Sequence, residues 1–302
     1  MKVKKSIITG GAGFIGSNLA DHLVRTGHKV IILDNFISGK RSNLAHHKKK
    51  DLKIFTIDIS KSKSLDKYFE GADYVFHLAG LAEIIPSFKN PNKYFENNVI
   101  GTLNVLEAAR KVKIKKLIYA ASSSCYGNPL KFPTSEKDEI NTQHPYGLTK
   151  YLGEELIMRY AKLFNMPNIS FRFFNVYGPR LNTSGQYSAV FGNFLKQKKT
   201  KKPLTVVGNG KQTRDFIHVD DLINAFLKII KSKFANRIYN LGSGKEVSIN
   251  KIAHLFGGKK IFIPMRPGEP KRSLANIAKL KKDINWRPII TIKEGIKKLL
   301  KS

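Results

Sequence analysis

Short, wholly apolar runs alternate with amphipathic stretches along the first 240 residues of the chain. Ser6 to Thr9, Val30 to Leu33, Ile54 to Ile57, Tyr74 to Leu78, Lys116 to Ala120, Ile169 to Phe174 and Ile238 to Leu241 are predicted strands, each a buried-type run of strand length. Between them the helical period predicts a helix over Phe14 to Thr26 ending at Gly27. Two long helices are predicted over Asn92 to Arg110 and Tyr146 to Asn165, with apolar faces suited to pairing between subunits. Strands separated by helices predict parallel βαβ units with right-handed crossovers, an α/β doubly wound Rossmann sheet. From Val176 the pattern loosens, with loops at Tyr177 to Gly185 and Gly208 to Lys211 and a proline-rich stretch from Pro264 to Pro270. The expected division is a dinucleotide-binding domain over 1–175, with returning segments near 212–242. A smaller, interleaved α/β substrate-binding lobe is expected over 176–302.

Composition changes this picture little. At 302 residues and 41% hydrophobic, the chain can bury a large core. No apolar run has the length of a membrane span or the form of a signal segment, so a cytoplasmic protein is expected. The lone Cys125 excludes an intrachain disulfide. A net charge of +32 suggests nucleic acid at first sight, yet 43 of the 54 basic residues are Lys and only 11 are Arg. Lysine lacks the planar fork that favours phosphate and base recognition, and these lysines are scattered along the chain. Solvated surface explains them, and neither nucleic acid nor membrane is expected as a partner.

Two motifs carry chemistry. Gly11-x-Gly13-x-x-Gly16, preceded by Gly10, follows the first strand and opens the first helix. Glycine there permits a tight turn and lets a pyrophosphate approach the open amides of a helix N-terminus. Asp34 ends the next strand at about the 20-residue spacing expected of a carboxylate on the adenosine ribose, where it favours NAD over NADP. The second motif is Tyr146 and Lys150, four residues apart and so on one helical face. A phenol is too weak a base at neutral pH, and an adjacent ammonium is expected to stabilise its phenolate.

As a set, these residues resemble the extended short-chain dehydrogenase/reductases, and within them the nucleotide-sugar epimerases and dehydratases, nearest the UDP-hexose 4-epimerases. The likeness spans nearly the whole chain and includes Asp58-Ile59, His77 to Gly80, Asn97 to Val99, Ala121 to Gly127, Arg172 to Arg180, Arg214 to Phe216 and Arg266 to Glu269. It implies Ser122 as catalytic hydroxyl, Tyr146 as base, and Lys150 as the residue that holds the nicotinamide ribose and lowers the Tyr146 pKa. It places Asp58 and Ile59 at the adenine edge and Leu78, Ala79 and Gly80 beneath the cofactor. Gly10, Gly13, Phe14, Ile15, Gly16, Asp34, Asn35 and Asn98 complete the implied NAD site. For the substrate it implies Asn175, Arg214 and Arg266 on the uridine diphosphate, Glu269 on the ribose, and Ser123 and Val190 along the pocket.

Ser123 and Ser124 follow Ser122 where related dehydratases carry an Asp-Glu pair and related decarboxylases a Glu. Neither serine is a strong acid or base near pH 7, which leaves reversible oxidation rather than elimination. The resemblance therefore implies 4-epimerisation of a UDP-hexose: the C4 hydride passes to NAD and returns to the other face of a 4-keto sugar. Ser273, in place of a bulky Tyr, implies room for an N-acetyl group at C2. A UDP-glucuronate 4-epimerase or another NAD-dependent nucleotide-sugar epimerase/dehydratase is the alternative enzyme, and a nonenzymatic NAD- or nucleic-acid-binding protein the alternative class. Ala82 and Glu83 stand where some UDP-galactose epimerases carry a diphosphate-binding Lys, so that role is expected to pass to Lys40 or Arg41. A homodimer is implied by the resemblance, and no metal is expected.

Overall fold

The structure, a computed structural model, describes residues 3–62, 64–183, 190–265 and 271–301; Arg266 and Glu269 lie outside them. The strands are β1 (Lys5–Thr9), β2 (Lys29–Asp34), β3 (Leu52–Thr56), β4 (Tyr74–His77), β5 (Lys116–Ser122), β6 (Asn168–Phe173), β7 (Asn175–Tyr177), β8 (Leu204–Val207), β9 (Thr213–His218), β10 (Arg237–Leu241), β11 (Glu246–Ser248) and β12 (Lys260–Ile263). The helices are α1 (Phe14–Arg25), α2 (Asp66–Phe69), α3 (Ile84–Lys89), α4 (Pro91–Phe95), α5 (Gly101–Lys111), α6 (Pro145–Leu163), α7 (Val190–Lys199), α8 (Val219–Lys231), α9 (Ile249–Phe256), α10 (Ala278–Ile284) and α11 (Ile292–Lys301).

Seven strands form one parallel sheet in the order β3-β2-β1-β4-β5-β6-β10. Strand order reverses between β1 and β4, and in such sheets ligands bind at that crevice, beyond the carboxyl ends of the strands. The apolar runs are continuous because both faces are covered, and successive residues point to opposite sides. Ile8, Ile32, Phe76 and Phe171 pack with Leu19 and Leu23 of α1 and Leu222 and Phe226 of α8. Ile7, Leu33, Val75 and Leu117 pack on the other face with Val105 and Leu106 of α5 and Ile157 of α6.

The region after Val176 is more regular than its sequence pattern suggests. It holds a three-stranded sheet, β11-β9-β7, a parallel pair, β12-β8, and five helices among the described residues. Tyr177, Phe191, Phe194, Val206, Phe216 and Phe256 form a separate aromatic core there. Aromatic packing across elements, which has no sequence period, gives the lobe its order. β10 returns to the edge of the main sheet, pairing with β6, whereas β9 stays with β7 and β11.

The long helix expected over Asn92 to Arg110 is also interrupted. A π turn at Glu96–Ile100 separates α4 from α5. The extra residue turns Asn98 inward, where its amide pairs both ways with the Leu81 backbone, at 2.8 and 3.0 Å, and reaches the Thr149 hydroxyl at 3.0 Å. Such π bulges recur where a helix serves a site rather than its own ladder.

Candidate active site

The carboxyl ends of β1, β2, β4, β5 and β6 open into one cleft of about 1480 Å³ that also reaches the smaller lobe. Its floor is the glycine turn. Gly10 is left-handed, at φ +69°, and a Cβ there would stand 2.7 Å from the Ala79 amide nitrogen. At Gly16 a Cβ would run into the Gly10 carbonyl. Gly13 occupies the N-cap of α1 with no side-chain cap, so the first amides of that helix remain available to an anion. The cradle therefore fits a dinucleotide pyrophosphate on geometry alone.

Asp34 is buried at the end of β2, where its carboxylate accepts from the amides of Ala12 (2.9 Å) and Phe36 (2.8 Å). Each oxygen keeps a lone pair for a further donor. Phe14, Ile15, Asn35, Ile59, Leu78, Ala79 and Gly80 line the same cleft. Asp58 and Asn98 stand beside these residues, Asp58 close to Asn35 and Asn98 to Leu81. Asp58 accepts from the Ser60 amide and hydroxyl at 3.0 and 2.6 Å, and Asn98 is consumed by Leu81 and Thr149. Lys40 lines the cleft, whereas Arg41 donates to the Thr56 hydroxyl and lies over the Phe36 ring. Of the two, Lys40 is the one placed to meet a diphosphate.

Ser122 ends β5, and its hydroxyl accepts from the Ser124 amide at 3.2 Å and faces the same cleft as Tyr146. Tyr146 enters in the first turn of α6, which His144 caps by accepting from the Gly147 amide at 3.0 Å and Pro145 starts at the position where proline is favoured. The His144 and Tyr146 rings stack with centroids 5.8 Å apart and planes within 1°. Tyr94 meets Tyr146 edge-on at 6.5 Å, and the Tyr94 hydroxyl donates to the Glu83 carbonyl. Sequence reasoning missed both aromatic neighbours. The His-Pro pair before Tyr146 was a visible capping signal for His144; Tyr94 carried none, because only the fold brings it near.

Lys150 is buried one turn further on, its ammonium 4.3 Å from the centre of the Tyr119 ring. Burial pushes its pKa down to about 7, against a smaller opposing pull from Glu154 one turn below. Burial likewise raises the Tyr146 phenol, and the neighbouring Ser122 hydroxyl draws it partly back. In the protein without ligand, burial therefore governs the Tyr146 phenol. A desolvated ammonium gives up much of its own charge before it can stabilise a neighbour. Glu154 is fixed by Arg172 (2.6 Å) and by the Ser170 hydroxyl (2.8 Å), so its field at Lys150 is constant.

Ser123, Asn175, Val190, Arg214 and Ser273 also line the cleft. The Asn175 amide donates to the Asp215 carbonyl at 3.1 Å, and Arg214 donates to the Thr213 carbonyl at 2.9 Å. Asp215 is a buried scaffold, accepting from the Ser243, Gly244 and Ala275 amides. Its bonds hold β9, and with it Arg214, against the cleft.

The model of the family described as "NAD dependent epimerase/dehydratase family" matches residues 6–242. A Methanocaldococcus jannaschii protein provisionally named UDP-glucose 4-epimerase is 37% identical over 97% of this chain and 96% of its own length. A UDP-N-acetylglucosamine 4-epimerase from Methanobrevibacter ruminantium, solved with UDP-N-acetylmuramic acid, superposes with a TM-score of 0.94. It is 32% identical over 100% of this chain and 98% of the other. A UDP-glucuronic acid 4-epimerase from Bacillus cereus, solved with UDP-glucuronic acid and NAD, gives 0.90 at 31% identity over 98% of each chain. The glycine cradle, the Asp34 carboxylate and the Tyr146–Lys150 helix thus sit in a chain that belongs to the NAD-dependent epimerase/dehydratase family.

Proposed function

We propose that this protein is an NAD-dependent 4-epimerase of UDP-hexoses, converting UDP-glucose and UDP-galactose and accepting the N-acetylated pair as well. The observation that carries the reading is the convergence of Ser122, Tyr146 and buried Lys150 on one cleft whose neighbouring side chains at 123 and 124 are serines. When bound, NAD supplies the acceptor and donor of the C4 hydride. The chain's own residues move the proton and hold the sugar. Tyr146 takes the 4-OH proton, with Ser122 hydrogen-bonded to the same oxygen, and returns it when the carbonyl is reduced. Anionic phosphates entering the cleft favour the charged form of Lys150, which then draws down the Tyr146 phenol.

Asn175 and Arg214 are assigned to the diphosphate, since an Arg fork suits that group, and Lys40 to the cofactor phosphates. Arg266 and Glu269 retain their proposed diphosphate and ribose roles. Inversion requires the 4-keto sugar to turn over while its nucleotide stays bound, which strong diphosphate contacts and a weakly held sugar allow. Ser273 leaves the C2 side of the pocket open, so Ser273→Tyr is expected to lower N-acetyl activity selectively. UDP-glucuronate is the second reading, favoured by the cationic Arg180 and Arg272 along the cleft and by the Bacillus cereus neighbour. We also assign a homodimer in which Phe95, Ile100, Leu163 and Phe164, exposed on the α4–α5 and α6 faces, meet a second copy. Light scattering of the purified protein tests it. Among the described residues no helix is long and apolar enough to cross a membrane.

Proton NMR of the protein incubated separately with UDP-glucose, UDP-N-acetylglucosamine and UDP-glucuronate tests the activity. New anomeric signals of the C4-inverted sugars are expected with the first two. No change with all three, in protein carrying NAD, removes the UDP-hexose reading.

A further inference from the structure

Outside the cleft, three metal-ligating side chains converge on one point. Asp21 projects from α1, and His46 and His47 from the turn that follows the short 3₁₀ segment Arg41–Asn43. The Nε2 atoms of His46 and His47 lie 2.9 and 2.7 Å from the same oxygen, Asp21 Oδ1. Their rings are 4.1 Å apart and tilted by 40°. The other oxygen, Oδ2, accepts from Arg180 at 2.6 Å. This is the one group of its kind among the described residues, its ligand atoms all within 4.8 Å of one another.

We propose that Asp21, His46 and His47 form a binding site for one first-row transition dication of the zinc type. Two imidazole nitrogens and a carboxylate oxygen are a zinc-like donor set, and three protein ligands leave a position for water. At zinc bond lengths of about 2.0–2.2 Å, tetrahedral donor atoms stand roughly 3.3 Å apart. The cluster needs to open by only about half an ångström, and the His46 side chain, 51% exposed, is free to swing. His47 is the rigid member, its side chain 7% exposed. Both rings already present Nε2, so binding requires only that the imidazole proton sit on Nδ1. Arg180 plays the part of an outer partner, fixing the carboxylate through Oδ2 so that Oδ1 binds in one direction. It holds that place despite a left-handed backbone at φ +64°. The guanidinium and the net charge of +32 both oppose a dication, so binding in the micromolar range is expected rather than that of a closed structural zinc site.

Tag-free protein, dialysed against chelator and then freed of it, is titrated with Zn²⁺ by calorimetry and with Co²⁺ by visible absorption. The expected result is one equivalent of each, with a Co²⁺ spectrum of low coordination number. Affinity is expected to fall at least ~tenfold in His47→Ala and in Asp21→Asn. The half-exposed His46→Ala, which leaves the packing intact, should show the same loss, and His254→Ala, on another surface, none. Retained NAD content reports that each variant is folded. Absence of a 1:1 event, or one that survives all three ligand substitutions, overturns the site and leaves the cluster as hydrogen bonds to Asp21.

Discussion

Replacing Lys150 by Met should stabilise the cofactor-free protein while abolishing turnover. The folded chain holds the Lys150 pKa at about 7 against an ordinary 10.5, chiefly by burial. At about 1.4 kcal/mol per tenfold in the acid constant, the charged form is disfavoured by roughly 5 kcal/mol on folding. The sign follows from proton counts. Below pH 7 both states are protonated and the whole penalty is present; between pH 7 and 10.5 the unfolded chain binds more protons, so wild-type stability rises through that window. Methionine keeps the long apolar stem but removes the charge, and with it an ammonium–ring contact with Tyr119 worth at most ~2 kcal/mol. The net gain is about 3 kcal/mol near pH 6.5. At about 2 °C per kcal/mol for a chain of this size, it appears as a rise in Tm of roughly 6 °C. Near pH 10 folded Lys150 is already neutral, so there is no ammonium–ring contact to lose and the gain shrinks to about 1 kcal/mol or less. Thermal and urea melts of NAD-stripped wild type and variant at the two pH values read the difference, in which other titrating groups cancel. A variant no more stable at pH 6.5, or a gain that grows with pH, would refute the buried-ammonium argument.

Three further outcomes follow from the same geometry. Gly16→Ala forces a Cβ into the Gly10 carbonyl, backbone against backbone, so the purified variant should carry little or no NAD by absorbance and chromatography. Tyr146→Phe keeps the ring against His144 but removes the proton carrier, so kcat should drop by ~10²–10⁴ with substrate affinity little changed in steady-state kinetics. Cys125 is buried and its thiol is pushed up to about 12, so a disulfide reagent at pH 8 should label no thiol until the protein is unfolded.

Much of the nucleotide site was legible because its demands are local. The glycine turn needs a chain without Cβ at fixed positions, and Tyr146 and Lys150 need only helical spacing to share a face. The seven strands of the main sheet were legible for a similar reason, since double burial makes each a continuous apolar run. What the sequence hid depends on neighbours brought in by the fold. The π turn at Glu96–Ile100, which sets Asn98 against Leu81, interrupts a helical period that runs straight through it in the sequence. Asp58 takes the Ser60 amide and hydroxyl through one carboxylate oxygen, another contact that spacing does not announce. The weak acidity of Tyr146 and the low pKa of Lys150 are burial effects with no counterpart in residue spacing. The smaller lobe escaped because its order rests on packing among Tyr177, Phe191, Phe216 and Phe256, which lie far apart in the chain.

If Tyr146 moves only the hydroxyl proton, the hydrogen removed from C4 is the one put back. UDP-glucose deuterated at C4, incubated with the NAD-loaded protein in ordinary water, measures this directly by mass and NMR. The expected result is UDP-galactose that retains the deuterium at C4. Product carrying solvent hydrogen at C4, or loss of label from both epimers, would contradict it.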